Sequence, residues 1–180
     1  MRPRPNIDDL AAPLVSLIRQ VRDFPRPGVL FYDLAPVFAD ATAFRAVVDA
    51  LIAPIQQIDV VVGVEARGFL LGAAAAYALG TGVVGIRKPG KLPVVCDHEG
   101  YALEYGVASL ELAHGALQPA QRALVVDDIL ATGGTAAATC ALVERAGATV
   151  GGIAVLLEIG SLHGRERLVG RSLHTLLTVG

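Results

Sequence analysis

The sequence predicts an α/β fold, with a central parallel β-sheet covered by helices on both faces. Three features predict it. Apolar, valine-rich runs such as 58–64 and 149–159 read as strands buried on both sides. Segments with helical apolar spacing lie between those runs, and alternation of the two types makes a layered parallel sheet. The 180 residues are enough for one domain with its own core, spanning 1–180.

Taken in order, Leu10, Leu14, Leu17, Ile18 and Val21 recur at helical spacing, behind Asn6 as a cap and the acidic first-turn pair Asp8 and Asp9. In 23–31, Pro25, Pro27 and Gly28 oppose regular structure and predict a rigid, shaped loop. A second stripe, Phe44, Val47, Val48, Leu51, Ile52 and Ile55, follows an acidic entry at Asp40. Next come a strand over 58–64, a helix over 68–79 closed by Gly80, and a short strand over 82–86. A strand over 123–127, a helix over 135–147, a strand over 149–159 and a last strand over 172–179 complete the alternation. Segment 90–117 breaks it. No helical period is sustained there, and Val94 and Val95 face Val107, Ser109, Leu110 and Leu112 as a long antiparallel hairpin, the signature of a functional lid or mobile loop.

Composition narrows the function. With 53% hydrophobic and 18% charged residues and a net charge of −2, the chain has no global field favouring nucleic acid or a membrane surface. Cys96 and Cys140 make no disulfide framework, which points to a reducing, cytoplasmic compartment. The first ten residues lack an apolar signal-peptide core, and no run approaches the roughly 18 apolar residues of a membrane span. The expectation is a cytoplasmic enzyme or ligand-binding module.

Three motif matches fail on context. "GTGVVG" (80–85) satisfies G-x-G-x-x-G, but a helix ends and a strand begins there, the reverse of a dinucleotide site. "GIRKPGKL" (85–92) lacks the hydroxyl of a phosphate-binding P-loop at Leu92, and Pro93 follows where a helix should start. Cys96, His98 and Glu99 crowd within four residues, which rarely encloses a metal.

"VVDDILATGGT" (125–135) passes the same test. A strand runs into Asp127 and Asp128, and a helix begins near Thr135. Between them, Ala131, Thr132, Gly133, Gly134 and Thr135 offer backbone N–H groups, two hydroxyls and a helix N-terminus to one anion. A phosphate monoester fits that nest. The carboxylates stand at the carboxyl end of a strand, where open α/β sheets bind ligands, and they call for a polyol or a cation. A ribose 5-phosphate supplies both hydroxyls and phosphate. Arg87, Lys88 and Lys91, clustered within five residues, and Arg67 are cations suited to a further anion.

The stretch "VVDDILATGGT" resembles the 5-phosphoribosyl-1-pyrophosphate (PRPP) signature of type I phosphoribosyltransferases. "DFPRPGVLFYDLAPVFAD" (23–40), "EARGFLLG" (65–72), "IRKPGKLP" (86–93) and "YALEYG" (101–106) resemble the adenine phosphoribosyltransferases among them, in the same order along nearly the whole chain. The resemblance implies a type I phosphoribosyltransferase fold, with a small N-terminal hood at 1–35 that binds the base and a flexible catalytic loop at 90–117. It implies transfer of the 5-phosphoribosyl group from PRPP to adenine, giving AMP and pyrophosphate in purine salvage, with Mg2+ as cofactor and a homodimer as the assembly.

The resemblance also distributes roles. Asp127 and Asp128 would hold the ribose hydroxyls or the water shell of Mg2+, and 131–135 would cradle the 5-phosphate. Arg67, Arg87, Lys88, Lys91 and Tyr105 would meet pyrophosphate. Phe31 would stack on adenine, with Ile129 on its other face and the backbone around Leu30 and Tyr32 reading its edge. Glu104 would be the catalytic acid. The family's pyrophosphate loop often holds a cis peptide that does not precede proline, and Glu65–Ala66 is its equivalent here. Two departures stand out: Tyr32 occupies a position commonly held by arginine, and Glu65-Ala66 replaces aspartate and serine. Two other readings stay open: transfer to xanthine or guanine, and a PRPP-sensing regulator on the same fold.

Overall fold

In the computed structural model of the protein, residues 7–103 and 106–180 are described. Helix α1 (Ile7–Leu17) leads into an antiparallel ribbon of β1 (Arg19–Arg22) and β2 (Leu30–Asp33). Short α2 (Ala35–Ala39) and α3 (Ala41–Ile52) follow. Strand β3 (Val60–Val64), helix α4 (Gly68–Leu79) and strand β4 (Gly82–Ile86) form the first βαβ unit. A second ribbon, β5 (Val95–Leu103) with β6 (Gly106–Ala113), precedes β7 (Arg122–Leu130), α5 (Gly134–Arg145) and β8 (Thr149–Ile159). Two 3-10 turns at 160–168 lead to β9 (Leu173–Val179).

The five strands of the central sheet run in the order β4-β3-β7-β8-β9, and every neighbouring pair is parallel. Alternation along each strand divides the core in two. Val60, Val62, Val64, Val125, Ile153 and Val155 face Cys140, Leu142 and Val143 of α5 together with Leu110 and Leu112 of β6. Val61, Leu124, Val126, Ala154 and Leu156 face Leu14 of α1, Val47, Val48 and Leu51 of α3, and Leu71 of α4. Strand β3 is buried at each position, which is why its valines do not alternate with polar residues.

Local chemistry sets the boundaries. The Asp40 carboxylate accepts from the N–H groups of Thr42 at 2.9 Å and Ala43 at 2.8 Å, capping α3. Gly80 closes α4 in the left-handed region at φ 69°, and the Thr81 N–H then reaches back to the Ala76 carbonyl at 3.0 Å.

The N-terminus differs from expectation. The helix predicted through Val21 stops at Leu17, because Arg19–Arg22 pairs along Leu30–Asp33 and tertiary pairing overrides helical spacing. Leu30 and Phe31, expected in the loop, therefore belong to β2, while Asn6 lies outside the described residues. The 90–117 segment contains the anticipated antiparallel ribbon, with Leu110 opposite Glu99 and Ser109 opposite Gly100. Leu110 and Leu112 root it in the core, and a backbone bridge between Arg87 and Glu111 ties it to the end of β4.

Candidate active site

Strand β7 carries Asp127 and Asp128 to the carboxyl edge of the sheet. It runs past Asp127, where the sequence predicted its end, and stays paired with β8 through Leu130. Both aspartates are buried. The Asp128 N–H donates to Asp127 Oδ1 at 2.8 Å. Burial, reinforced by the Asp128 charge, pushes the Asp127 carboxyl well above the usual carboxylate range. Asp128 Oδ2 lies 2.5 Å from Arg67 Nε, yet it is buried without a hydrogen-bond partner. The contact with Arg67 is one of charge, its Nε–H not aimed at the oxygen.

Beyond Leu130 the chain bends through Ala131, Thr132 and Gly133, and α5 starts at Gly134 with no side chain capping its first N–H groups. Those groups are open to an anion. Gly133 has φ 79°, and a Cβ there would strike the Gly164 carbonyl, so both conformation and space demand glycine. Gly68, at the start of α4, is equally constrained: its Cβ would stand 2.9 Å from Asp127 Oδ1 and 2.9 Å from the Val126 carbonyl oxygen.

Residues 65–67 join β3 to α4, and the Glu65–Ala66 peptide is cis, as the resemblance implied. Glu65 Oε2 accepts from the Lys88 N–H at 2.7 Å and from Arg87 Nε at 3.1 Å. These bonds, the Lys88 one foremost, hold the Glu65 carboxyl below its ordinary range.

A cavity of about 840 Å³ opens at this edge. Pro25, Arg26 and 28–32 form one wall, and Asp128, Ile129, Ala131 and Thr132 another, with Arg67 between and 159–162 behind. Phe31 meets the edge of the Phe24 ring at a centroid distance of 5.0 Å, and the Arg67 guanidinium lies 5.5 Å from the Phe31 centroid. The Asp23 carboxylate, accepting from the Gly28 N–H at 2.7 Å, shapes the loop between them.

Of the residues singled out from sequence, Leu30, Phe31, Tyr32, Ile129, Arg67, Asp128, Ala131 and Thr132 line this cavity. Asp127 belongs to the same strand, Gly133 to the turn after it, and Gly134 and Thr135 to the first turn of α5. Arg87, Lys88 and Lys91 do not line it; the two lysines are exposed, and Arg87 lies over Phe69 in a separate cavity of about 510 Å³ beside β4. That second cavity contains none of the carboxylates or phosphate-loop residues, so the chemistry belongs to the larger one. Glu104 and Tyr105 lie outside the described residues. Sequence reasoning missed Ile159, Ser161 and Leu162. The available signal was their position at the end of β8 and just past it, beside the strand carrying the aspartates.

A parallel sheet with paired acids, a glycine-rich turn and an uncapped helix at its carboxyl edge is the arrangement of a phosphoribosyl-handling protein. The phosphoribosyl transferase domain family matches residues 38–169, and the chain belongs to that family. Within it, the adenine phosphoribosyltransferase of Salinispora arenicola is 56% identical over 94% of this chain and 92% of its own length. That of Saccharopolyspora erythraea is 57% identical over 96% of each chain. Among solved structures, adenine phosphoribosyltransferase from Rhodothermus marinus superposes with a TM-score of 0.92 at 45% identity, covering 97% of this chain and 100% of that one. The Saccharomyces cerevisiae enzyme, solved with adenine and an imino-altritol bisphosphate, gives 0.88 at 38% identity over 94% and 99%.

Proposed function

We propose that this chain transfers the 5-phosphoribosyl group of PRPP to adenine, releasing pyrophosphate and forming AMP. One observation carries the reading: a single cavity joins the Phe31 ring to the buried aspartate and to the glycine-rich turn before α5. Those walls suit the three parts of the product: base, ribose and phosphate.

The reaction breaks the bond from the anomeric carbon to pyrophosphate and makes a bond from that carbon to adenine N9. Positive charge grows on the sugar and negative charge on the leaving group, so positioning and electrostatics matter more than a nucleophile. Phe31 and Ile129 sandwich the base, with the main chain at Leu30 and Tyr32 along its edge. Tyr32 is largely buried among core residues, so reading the edge through the backbone accommodates tyrosine where relatives commonly carry arginine. Residues 131–135 hold the 5-phosphate. Arg67, at the cavity wall, and Tyr105 receive the pyrophosphate, while Arg87, Lys88 and Lys91 stand outside the cavity as further cations past the end of β4. Glu104 accepts the proton that leaves adenine N7 as N9 bonds to the sugar.

The donor set fits Mg2+ arriving with PRPP. Carboxylate oxygens suit a hard cation, and Asp128 lines the cavity. Among the described residues no group of three or more His, Cys, Asp or Glu is placed to cage a metal alone. Asp127 and Asp128 would hold the ion through its waters or orient the ribose hydroxyls, and the chemistry it would supply is neutralisation of charge on the leaving group. A homodimer is supported by the uncharged α4, on which Leu70 and Tyr77 are exposed, and by the exposed Val83 of the edge strand β4. The free thiols of Cys96 and Cys140 accord with the cytoplasm, and among the described residues no helix is long and apolar enough to cross a membrane.

Incubation with PRPP, Mg2+ and each of adenine, guanine, hypoxanthine and xanthine tests the reading. Adenine should give the highest kcat/KM by a wide margin, and a preference for an oxopurine would overturn the base assignment. Glu104→Ala should lower kcat by roughly 10²–10⁴-fold with little change in PRPP affinity. A variant keeping most of its kcat at saturating adenine would remove Glu104 from the chemistry.

A further inference from the structure

The turn at 160–168 lies against the glycine-rich loop, backbone on backbone. A Cβ on Gly164 would collide with the Ala131 carbonyl oxygen and stand 2.9 Å from the Gly133 nitrogen. In return, a Cβ on Gly133 would collide with the Gly164 carbonyl. No side chain separates the two segments, so the position of Gly164 fixes where Ala131 and Gly133 sit.

Gly164 is itself held. Its neighbour Arg165 reaches Glu158 of β8 with two donors, Nε to Oε1 at 3.1 Å and Nη2 to Oε2 at 2.5 Å, and Thr175 Oγ1 of β9 at 3.2 Å. Glu158 is buried and stands opposite Leu130, the last residue of β7 before the loop. His163, at φ 52°, turns the chain from Ser161 and Leu162, which line the cavity, to Gly164 beneath the loop. A fork-on-carboxylate pair with a buried acid is directional, because both oxygens must be met at once.

We infer that Gly164 and the Glu158–Arg165 pair are positioning residues for the 5-phosphate: they form a rigid backing that sets the spacing of the Ala131–Gly133 loop. This rests on the reading that 131–135 holds the phosphate. None of the three need touch the ligand. Their effect is to keep the loop's N–H groups convergent before the phosphate arrives, which lowers the ordering cost of binding.

The test compares Gly164→Ala, Arg165→Met, Arg165→Lys and Thr135→Val in the full chain. AMP affinity is measured by calorimetry, KM for adenine at saturating PRPP by assay, and the fold by thermal melting. Gly164→Ala and Arg165→Met should each weaken AMP about tenfold, the scale of one misplaced phosphate donor, and leave KM for adenine within about twofold. Arg165→Lys should recover part of the loss, since it keeps the charge but not the fork. If Gly164→Ala does not fold, Arg165→Met carries the test by itself. Unchanged AMP affinity in the folded variants overturns the inference, and so does an equal loss towards AMP and adenine, which would mark a general loosening. Thr135→Val separates the premise: if it leaves AMP binding intact, the phosphate assignment fails. If it weakens AMP while the backing variants do not, only the backing is wrong.

Discussion

Asp127 presents a conflict that a single substitution can resolve. Its carboxyl is pushed above the ordinary value near 3.9 by burial and by Asp128. A raised folded-state value means that the native protein holds this proton more tightly than the unfolded chain. The stability it contributes is complete below about pH 4 and is lost as pH rises through the folded value. The ionised form that a cation or a ribose hydroxyl calls for is therefore the form that the fold opposes. Asp127→Asn keeps an acceptor for the Asp128 N–H and removes the charge. Melting curves across pH should show the variant more stable than the parent at pH 8, by about 2–4 °C per kcal/mol gained, converging near pH 4 while PRPP affinity falls. A variant less stable at pH 8 would contradict this account. The proposed roles of Asp127, Asp128, Gly133 and Thr135 were legible in the sequence because their types are costly or special beside an apolar strand. Gly164 and Arg165 were not legible: their role arises only when 160–168 folds beneath 131–134, a contact with no local pattern.

At the scale of elements, α4, β4 and β8 carry the bounds read from the sequence, since glycines close the helices and valine-rich runs mark the strands. The first ribbon was not legible, because Arg19–Arg22 becomes a strand only through its partner. The second ribbon was, and the structure adds its tether. Arg145, in the last turn of α5, bonds the Asp97 carboxylate through Nε, Glu99 Oε2 at 2.6 Å and the His98 carbonyl at 3.2 Å. One guanidinium thus spans three consecutive residues of β5. These groups are partly solvated, so the global contribution is screened and small, about 1 kcal/mol or less. The local effect should be larger. Arg145→Gln should raise amide hydrogen exchange across β5 while leaving β7 and β8 unchanged, and exchange unaltered over 95–103 would show that Leu110 and Leu112 alone anchor the ribbon.

At the scale of the molecule, the sheet ends on β4, whose Val83 is 50% exposed, and the preceding α4 exposes Leu70 at 53% and Tyr77 at 91%. Helix α4 contains no charged residue to keep that face in water. Edge strands and uncharged helix faces of this kind invite association. Tyr77→Glu should shift the proposed homodimer towards monomer in sedimentation velocity without lowering the melting temperature of the subunit. A variant that sediments as the parent does would place the interface elsewhere.

The large cavity takes one wall from Pro25, Arg26 and 28–32 and another from Asp128, Ile129, Ala131 and Thr132. Segments that far apart in the chain meet only in the finished fold, and a purine between Phe31 and Ile129 would act as a rivet through both. Trypsin offers a direct gauge, because Arg22 is exposed at the foot of the N-terminal wall. AMP, which fills the whole cavity, should slow cleavage after Arg22. Ribose 5-phosphate, which reaches only the far wall, should leave the cutting rate as it was.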